Sequence, residues 1–186
     1  KGLMKAAYYD PNPVVMLEHK GLYWSKIAGT EEAKTIEPSA DYIIPFGKAR
    51  IVQQADAAHI EKGEAAVIVT YGMGVYWAKT AAKSFPRRIT IIDLRTLVPM
   101  DEETVMGAVR EHGRCLVVTE ETLTNSFAQA VAGNTRVRGV GRRARSARCR
   151  RPGASGRRMG SVAPLRGAAC CHGTRFAWCS RPLTTI

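Results

Sequence analysis

Residues 65–74 read AAVIVTYGMG, a short apolar run closed by two glycines one residue apart. A run of this kind, bounded by a turn signal, makes a strand covered on both faces. The next residues change period. Val75, Ala78, Ala82 and Phe85 recur at i, i+3, i+7 and i+10, one face of a helix, and Pro86 ends it.

The pattern repeats downstream. Ile89 to Leu94 is a second buried strand. Pro99 and Asp101 open a helix, with Asp101 as its N-cap, Glu102 and Glu103 in its first turn and Gly113 suited to its C-terminal cap. Cys115 to Thr119 is a third strand. Asn125 or Ser126 caps a third helix, which Gly133 is expected to end. Three β-α units in a row imply a mostly parallel sheet with right-handed crossovers, hence a three-layer α/β sandwich.

Upstream the signals are weaker. Gly2 to Asp10 reads as the end of a helix, stopped by Pro11-Asn12-Pro13. Val14 to Leu17 is continuously apolar and predicts another doubly covered strand. Gly21 to Ala40 has no period and reads as a linker. Tyr42 to Val52 has strand character around Pro45-Phe46-Gly47. The first residue is Lys1 rather than Met, so the sequence is expected to begin inside a longer protein. No run approaches 18 apolar residues, and no signal peptide opens the chain.

The 186 residues carry a formal net charge of +12, but the excess is local. Residues 1–134 hold 15 Lys+Arg against 16 Asp+Glu, whereas residues 135–186 hold 13 Arg, no Lys and no acid. Four of the five cysteines, Cys149, Cys170, Cys171 and Cys179, also lie beyond Asn134. Asn134 is therefore read as a boundary. With only Cys115 before it, the first part suits a reducing compartment.

Several residues could carry chemistry. Gly72-x-Gly74 between a strand and a helix, with Asp93 closing the next strand, is nearly a dinucleotide fingerprint. Trp77 stands where its third glycine belongs, so a tight turn that needs glycine is the competing reading. Arg95, Pro99 and Asp101 lie near the carboxyl end of a strand, the edge at which open α/β sheets bind ligands. The bland alternative is a helix cap with an ion pair. Glu120-Glu121 could do acid–base work, form a solvated loop or make a docking contact for a basic partner. His19, His59 and His112 are scattered, and His112 beside Gly113 reads as a favourable charge at a helix C-terminus. Cys115 reads as an inert core thiol. Cys170-Cys171-His172 with Cys179 lacks the paired spacing of a zinc site.

Read in order, the blocks resemble one family. PVVMLEHKGLYWSK, from Pro13, resembles the end of the pyrimidine-binding domain in beta subunits of thiamine-diphosphate-dependent 2-oxoacid dehydrogenases. GTEEAKTIEPSADYIIPFGKARIV resembles the entry to their transketolase C-terminal domain. VIVTYGMGVYWA, IIDLRTLVPMDEETV and GRCLVVTEETLTNSFAQ follow in family order. The EHKGLYWSK block is more similar to the branched-chain, or 2-oxoisovalerate, type than to the pyruvate type. Transketolase and deoxyxylulose-phosphate synthase share the fold and match less well.

The resemblance implies a domain organisation and a role. Residues 1–27 are the remnant of the pyrimidine-binding domain, 28–46 a linker, and 47–134 a transketolase C-terminal-like domain, incomplete at its C-terminus. The implied reaction is oxidative decarboxylation of a 2-oxoacid with acyl transfer to a lipoyl group. Thiamine diphosphate and magnesium belong to the intact enzyme. The implied partners are an alpha subunit, a second beta subunit and a lipoyl acyltransferase core, in a bacterial cytoplasm, with neither membrane nor nucleic acid. The family's catalytic and cofactor-binding residues lie upstream of Lys1. No catalytic, cofactor-binding or metal-binding residue is therefore assigned here, and this module is expected to be structural and subunit-contacting.

Residues 135–186 depart from the family. Arg without Lys or acid, amid Ala, Gly, Pro, Ser and Cys, is what GC-rich DNA yields in a wrong frame, and a frameshift near codons 133–136 is expected. The rival is a genuine basic arm that binds nucleic acid through phosphates. It lacks the aromatic interleaving of single-strand binders, with only Phe176 and Trp178 present. A domain without its last strand and helix is expected to expose a sheet edge.

Overall fold

A computed structural model describes residues 1–24, 27–122, 124–137, 143–147 and 175–180. The central strands are β1 (Arg50–Gln53), β2 (Ala66–Thr70), β3 (Ile89–Asp93) and β4 (Arg114–Thr119). They lie in the order β1-β3-β2-β4. β2 runs parallel to both β3 and β4, with Val67 opposite Thr90 on one side and Cys115 on the other. β1 joins β3 antiparallel. This is the expected α/β sandwich with a mostly parallel core.

The connections explain the layers. Helix α3 (Met73–Ala82) links β2 to β3, and Ala78 and Ala82 bury against Ile68, Ile91 and Val118 on one face. Helix α4 (Glu102–His112) links β3 to β4 across β2. Its Val105 and Val109 join Val131 of α5 (Phe127–Val137) against Val67, Val69, Ile92, Leu94 and Val117 on the other face. Strand side chains alternate between faces, so continuous apolar runs fill both layers.

The helix ends follow the expected chemistry. Asp101 caps α4, its Oδ1 accepting from the Thr104 N–H at 3.1 Å. Gly113 closes the same helix in the left-handed region, φ +65°. Ser126 Oγ accepts from the Gln129 N–H at 3.2 Å at the start of α5.

Five features differ from the sequence-based expectations, the last of them at the edge of the sheet. Val14 to Leu17 forms no strand; Val15 and Leu17 are 86% and 83% exposed. Its apolarity is that of a strand, but no neighbouring strand is paired with it here. In 42–52, strand structure begins only at Arg50. Helix α5 continues through Gly133 to Val137, because a helix-interior glycine costs only about 1 kcal/mol and buried Val131 and Thr135 hold both sides of it. A short helix, α2 (Ala57–Glu61), lies where no periodicity marked one.

The edge of β4 is not left open. The backbone of β6 (Arg175–Ser180) pairs antiparallel with β4, and β5 (Arg143–Ala147) pairs antiparallel with β6. Helix α1 (Gly2–Tyr9) stands before the domain, and single 3-10 turns follow at Lys20–Leu22 and Glu31–Ala33.

Candidate functional site

In an open α/β sheet, ligands enter where successive connections leave on opposite faces. Here α3 leaves β2 toward β3 on one face, and α5 follows β4 on the other. The crevice between the carboxyl ends of β2 and β4 is therefore the place to examine. The sequence delivers Tyr71, Gly72, Glu120 and Glu121 to it.

The chain's own side chains occupy that crevice. The Tyr71 hydroxyl donates to Glu121 Oε1, and Glu121 Oε2 accepts from the Phe127 N–H at 2.7 Å. A carboxylate at the first turn of a helix satisfies a free N–H and the helix dipole together. Tyr71 also meets Phe127 edge to face, with centroids 6.3 Å apart. Burial, then the bond to Glu121 and the charges of Glu121 and Glu120, push the Tyr71 hydroxyl well above the usual tyrosine range. Beside it, His19 Nε2 lies 3.2 Å from Glu120 Oε1.

Both glycines have structural tasks. Gly72 adopts φ +57°, ψ −128°, a conformation essentially confined to glycine. A Cβ on Gly74 would overlap Thr70 Oγ1 and come within 3.2 Å of the Val118 carbonyl oxygen. Thr70 thus packs against the start of α3 at Gly74, and the turn itself accounts for both glycines.

The remaining candidates do not converge. Asp93 Oδ1 accepts from the Arg95 N–H at 3.2 Å, with Arg95 at φ +57°. Burial raises the Asp93 carboxyl above the usual range, against the opposing effect of that N–H and of Arg95 and Arg50. Asp101 is 5% exposed and accepts from the Ala49 N–H at 2.9 Å and from Thr104, backbone and hydroxyl. Burial opposes its charge, but these bonds prevail and hold it below the usual carboxylate range. It is a cap that also ties the chain before β1 to α4.

His59 lies beyond the opposite end of the strands, where Glu64 meets both His59 Nδ1 at 3.1 Å and Arg88 at 3.5 Å. His112 is 3% exposed. Its Nδ1 donates to the Ala108 carbonyl at 2.8 Å, and its Nε2 is 2.8 Å from Thr90 Oγ1, which accepts from the Ala55 N–H at 2.9 Å. It is a buried pin in the last turn of α4, joining that helix to β3. Cys115 is buried in the core, as expected. Cys149, Cys170, Cys171, His172 and Cys179 belong to the tail: Cys179 is placed only as backbone in β6, and the others lie outside the described residues. Among the described residues, no three His, Cys, Asp or Glu side chains gather as a metal site would require. No helix there is long and apolar enough to cross a membrane.

Sequence reading missed the Tyr71–Glu121–Phe127 linkage. Tyr71 closes a strand and reads as core, and only the parallel pairing of β2 with β4 brings it to Glu121. His19 was equally hidden, 101 residues from Glu120.

Comparison with known proteins agrees with this architecture. The family described as "Transketolase, C-terminal domain" matches residues 55–148. The chain is 34% identical over 135 residues to the 2-oxoisovalerate dehydrogenase subunit beta of Bacillus subtilis (strain 168), covering 71% of this chain and 37% of that protein. It is 40% identical over 123 residues to the pyruvate dehydrogenase E1 component subunit beta of Acholeplasma laidlawii, covering 64% and 33%. The same identity over the same length holds for the acetoin:2,6-dichlorophenolindophenol oxidoreductase subunit beta of Cupriavidus necator, covering 64% and 32%. The chain spans about a third of the length of these curated relatives. With half of its residues matched by the family and the sheet in place, the chain belongs to the transketolase C-terminal domain family.

Proposed function

We propose that the chain is the carboxyl-terminal part of the beta subunit of a thiamine-diphosphate-dependent 2-oxoacid dehydrogenase, of the 2-oxoisovalerate or pyruvate type. The observation that carries this reading is the shared identity of 34–40% with beta subunits of both kinds. In this reading the intact enzyme decarboxylates a 2-oxoacid oxidatively and passes the acyl group to a lipoyl group. Its partners are an alpha subunit, a second beta subunit and a lipoyl acyltransferase core, in the bacterial cytoplasm.

No described residue is assigned to the cofactor in this reading. Thr70 occupies the space beside the Gly72–Gly74 turn, and no cluster of three metal-ligand side chains is present among them. No step is therefore routed through thiamine diphosphate or magnesium here. The module's contribution is to fold, to present the segment before residue 47, and to contact other subunits. The chain without its partners is expected to be inactive.

The tail supports two readings. An out-of-frame extension beyond residue 134 accounts for 13 Arg with no acid. A completed domain is favoured by the pairing of β6 with β4 and by the family match through residue 148. Reading the coding DNA from codon 120 in all three frames separates them. A family-like ending in another frame supports the first, and a single open frame supports the second.

The functional proposal is tested by grafting. Residues 1–134 replace the matching part of the Bacillus subtilis beta subunit, which is co-expressed with its alpha subunit. Copurification in equal amounts is expected. A folded chimera that never associates with alpha would contradict the proposal.

A further inference from the structure

We infer that residues 10–24 form a strap latched onto the carboxyl edge of the sheet by the His19–Glu120 pair. The stretch has no sheet hydrogen bonds of its own. Its described side-chain bonds are internal, Asp10 with Asn12 and Glu18 with Tyr23, except at His19. The stretches on either side are tethered elsewhere. Upstream, the Ile44 N–H donates to the Gly2 carbonyl at 3.3 Å. Downstream, Thr30 is fully buried and Glu32 pairs with Lys79 of α3. Between these anchors, His19 is the strap's described side-chain link to the crevice.

The ring is built into place. The Glu18–Tyr23 bond and the Leu22 N–H to His19 carbonyl bond of 2.9 Å close a tight turn around it. Gly21 lies against the ring, and a Cβ there would stand 3.0 Å from His19 Cε1 and 2.7 Å from Ile27 Cδ1. Nδ1 is covered and has no partner among the described residues, so the ring's polar contact to the domain is Nε2 on Glu120. Glu120 adjoins Glu121, which holds Tyr71 and the start of α5. The latch therefore sets the direction from which preceding chain reaches the β2–β4 crevice, and it screens one of the two carboxylates there.

Hydrogen exchange by mass spectrometry on the full chain tests this, read on peptides spanning residues 18–24. His19→Ala and Glu120→Ala are each expected to speed exchange there roughly threefold, the scale of a part-exposed ion pair. The double variant is expected to go no further than either single one. Gly21→Ala, which crowds the ring, is expected to do the same while leaving both partners in place. Unchanged exchange in both single variants, with β4 still protected, would overturn the latch. So would a double variant whose effect is the product of the singles. Should Glu120→Ala cost β4 its protection, His19→Ala, which alters no sheet residue, decides the matter by the same reading.

Discussion

Gly74 and Thr70 meet across the first turn of α3, so closely that a methyl group on Gly74 would overlap the Thr70 hydroxyl oxygen. That hydroxyl donates to the Val118 carbonyl at 2.8 Å and so ties β2 to β4 from the side. Gly74→Ala must displace Thr70 or α3, and overpacking of this kind costs about 2 kcal/mol. Adding Thr70→Ala to Gly74→Ala relieves the overlap, so the pair is expected to cost less than the sum of its singles in urea melts. Gly72→Ala meets no neighbour but keeps a disfavoured backbone conformation, at about 1–3 kcal/mol.

His112 ties the end of α4 to β3 through both ring nitrogens. His112→Ala leaves the Thr90 hydroxyl and the Ala108 carbonyl without their side-chain partner and opens a cavity under α4. A loss of about 2–4 kcal/mol in denaturant unfolding is expected. A charge at an exposed helix end would be worth less than about 1 kcal/mol and would fade with salt. The predicted loss persists at high salt.

The two aspartates at the carboxyl side of β3 have opposite pH signatures. Asp101 titrates lower in the folded chain than in the unfolded one. Its contribution is present above the ordinary aspartate value and lost as pH falls through the lowered one. Asp101→Ala is expected to cost about 1–2 kcal/mol at neutral pH, with the difference from wild type shrinking in acid. Asp93 titrates higher when folded, so its charged form is disfavoured and its contribution is lost as pH rises through that raised value. Asp93→Asn is expected to raise the melting temperature at neutral pH, with the gain vanishing in acid.

Glu121 leaves a spectroscopic mark. Tyr71 is expected to resist ionisation most strongly in an alkaline titration followed by ultraviolet absorbance, beyond the smaller upward shifts of Tyr23 and Tyr76. Glu121→Gln removes the charge but not the burial, so Tyr71 should ionise at lower pH while staying above ordinary tyrosines. Glu121→Ala is expected to cost about 1 kcal/mol more, through the lost partner of the Phe127 N–H.

The β2–α3–β3–α4–β4 core was legible because local signals agreed there: apolar runs of strand length, a 3.6 period after Gly74, Asp101 before the helix and Gly113 after it. The family blocks lie in the same stretch. Val14–Leu17 misled because apolarity predicts burial, and burial depends on a neighbour that the local sequence does not supply. Gly133 misled because a helix end needs more than a glycine, and buried Val131 and Thr135 carry α5 past it. The crevice was only half legible. Gly72, Gly74 and Glu120-Glu121 were visible as candidates, but their tasks depend on Thr70, Tyr71, His19 and Phe127, which strand pairing and the strap bring to them.

The central claim is that this domain serves a 2-oxoacid dehydrogenase. It is tested most directly by the activity of the grafted beta subunit with its alpha subunit, thiamine diphosphate and magnesium. Release of carbon dioxide from 2-oxoisovalerate and from pyruvate is measured side by side. Decarboxylation of at least one of them within about tenfold of the parent enzyme is the predicted result, on the proposal that the transplanted domain serves assembly and the cofactor supplies the chemistry. An assembled, folded complex that decarboxylates neither would contradict the account.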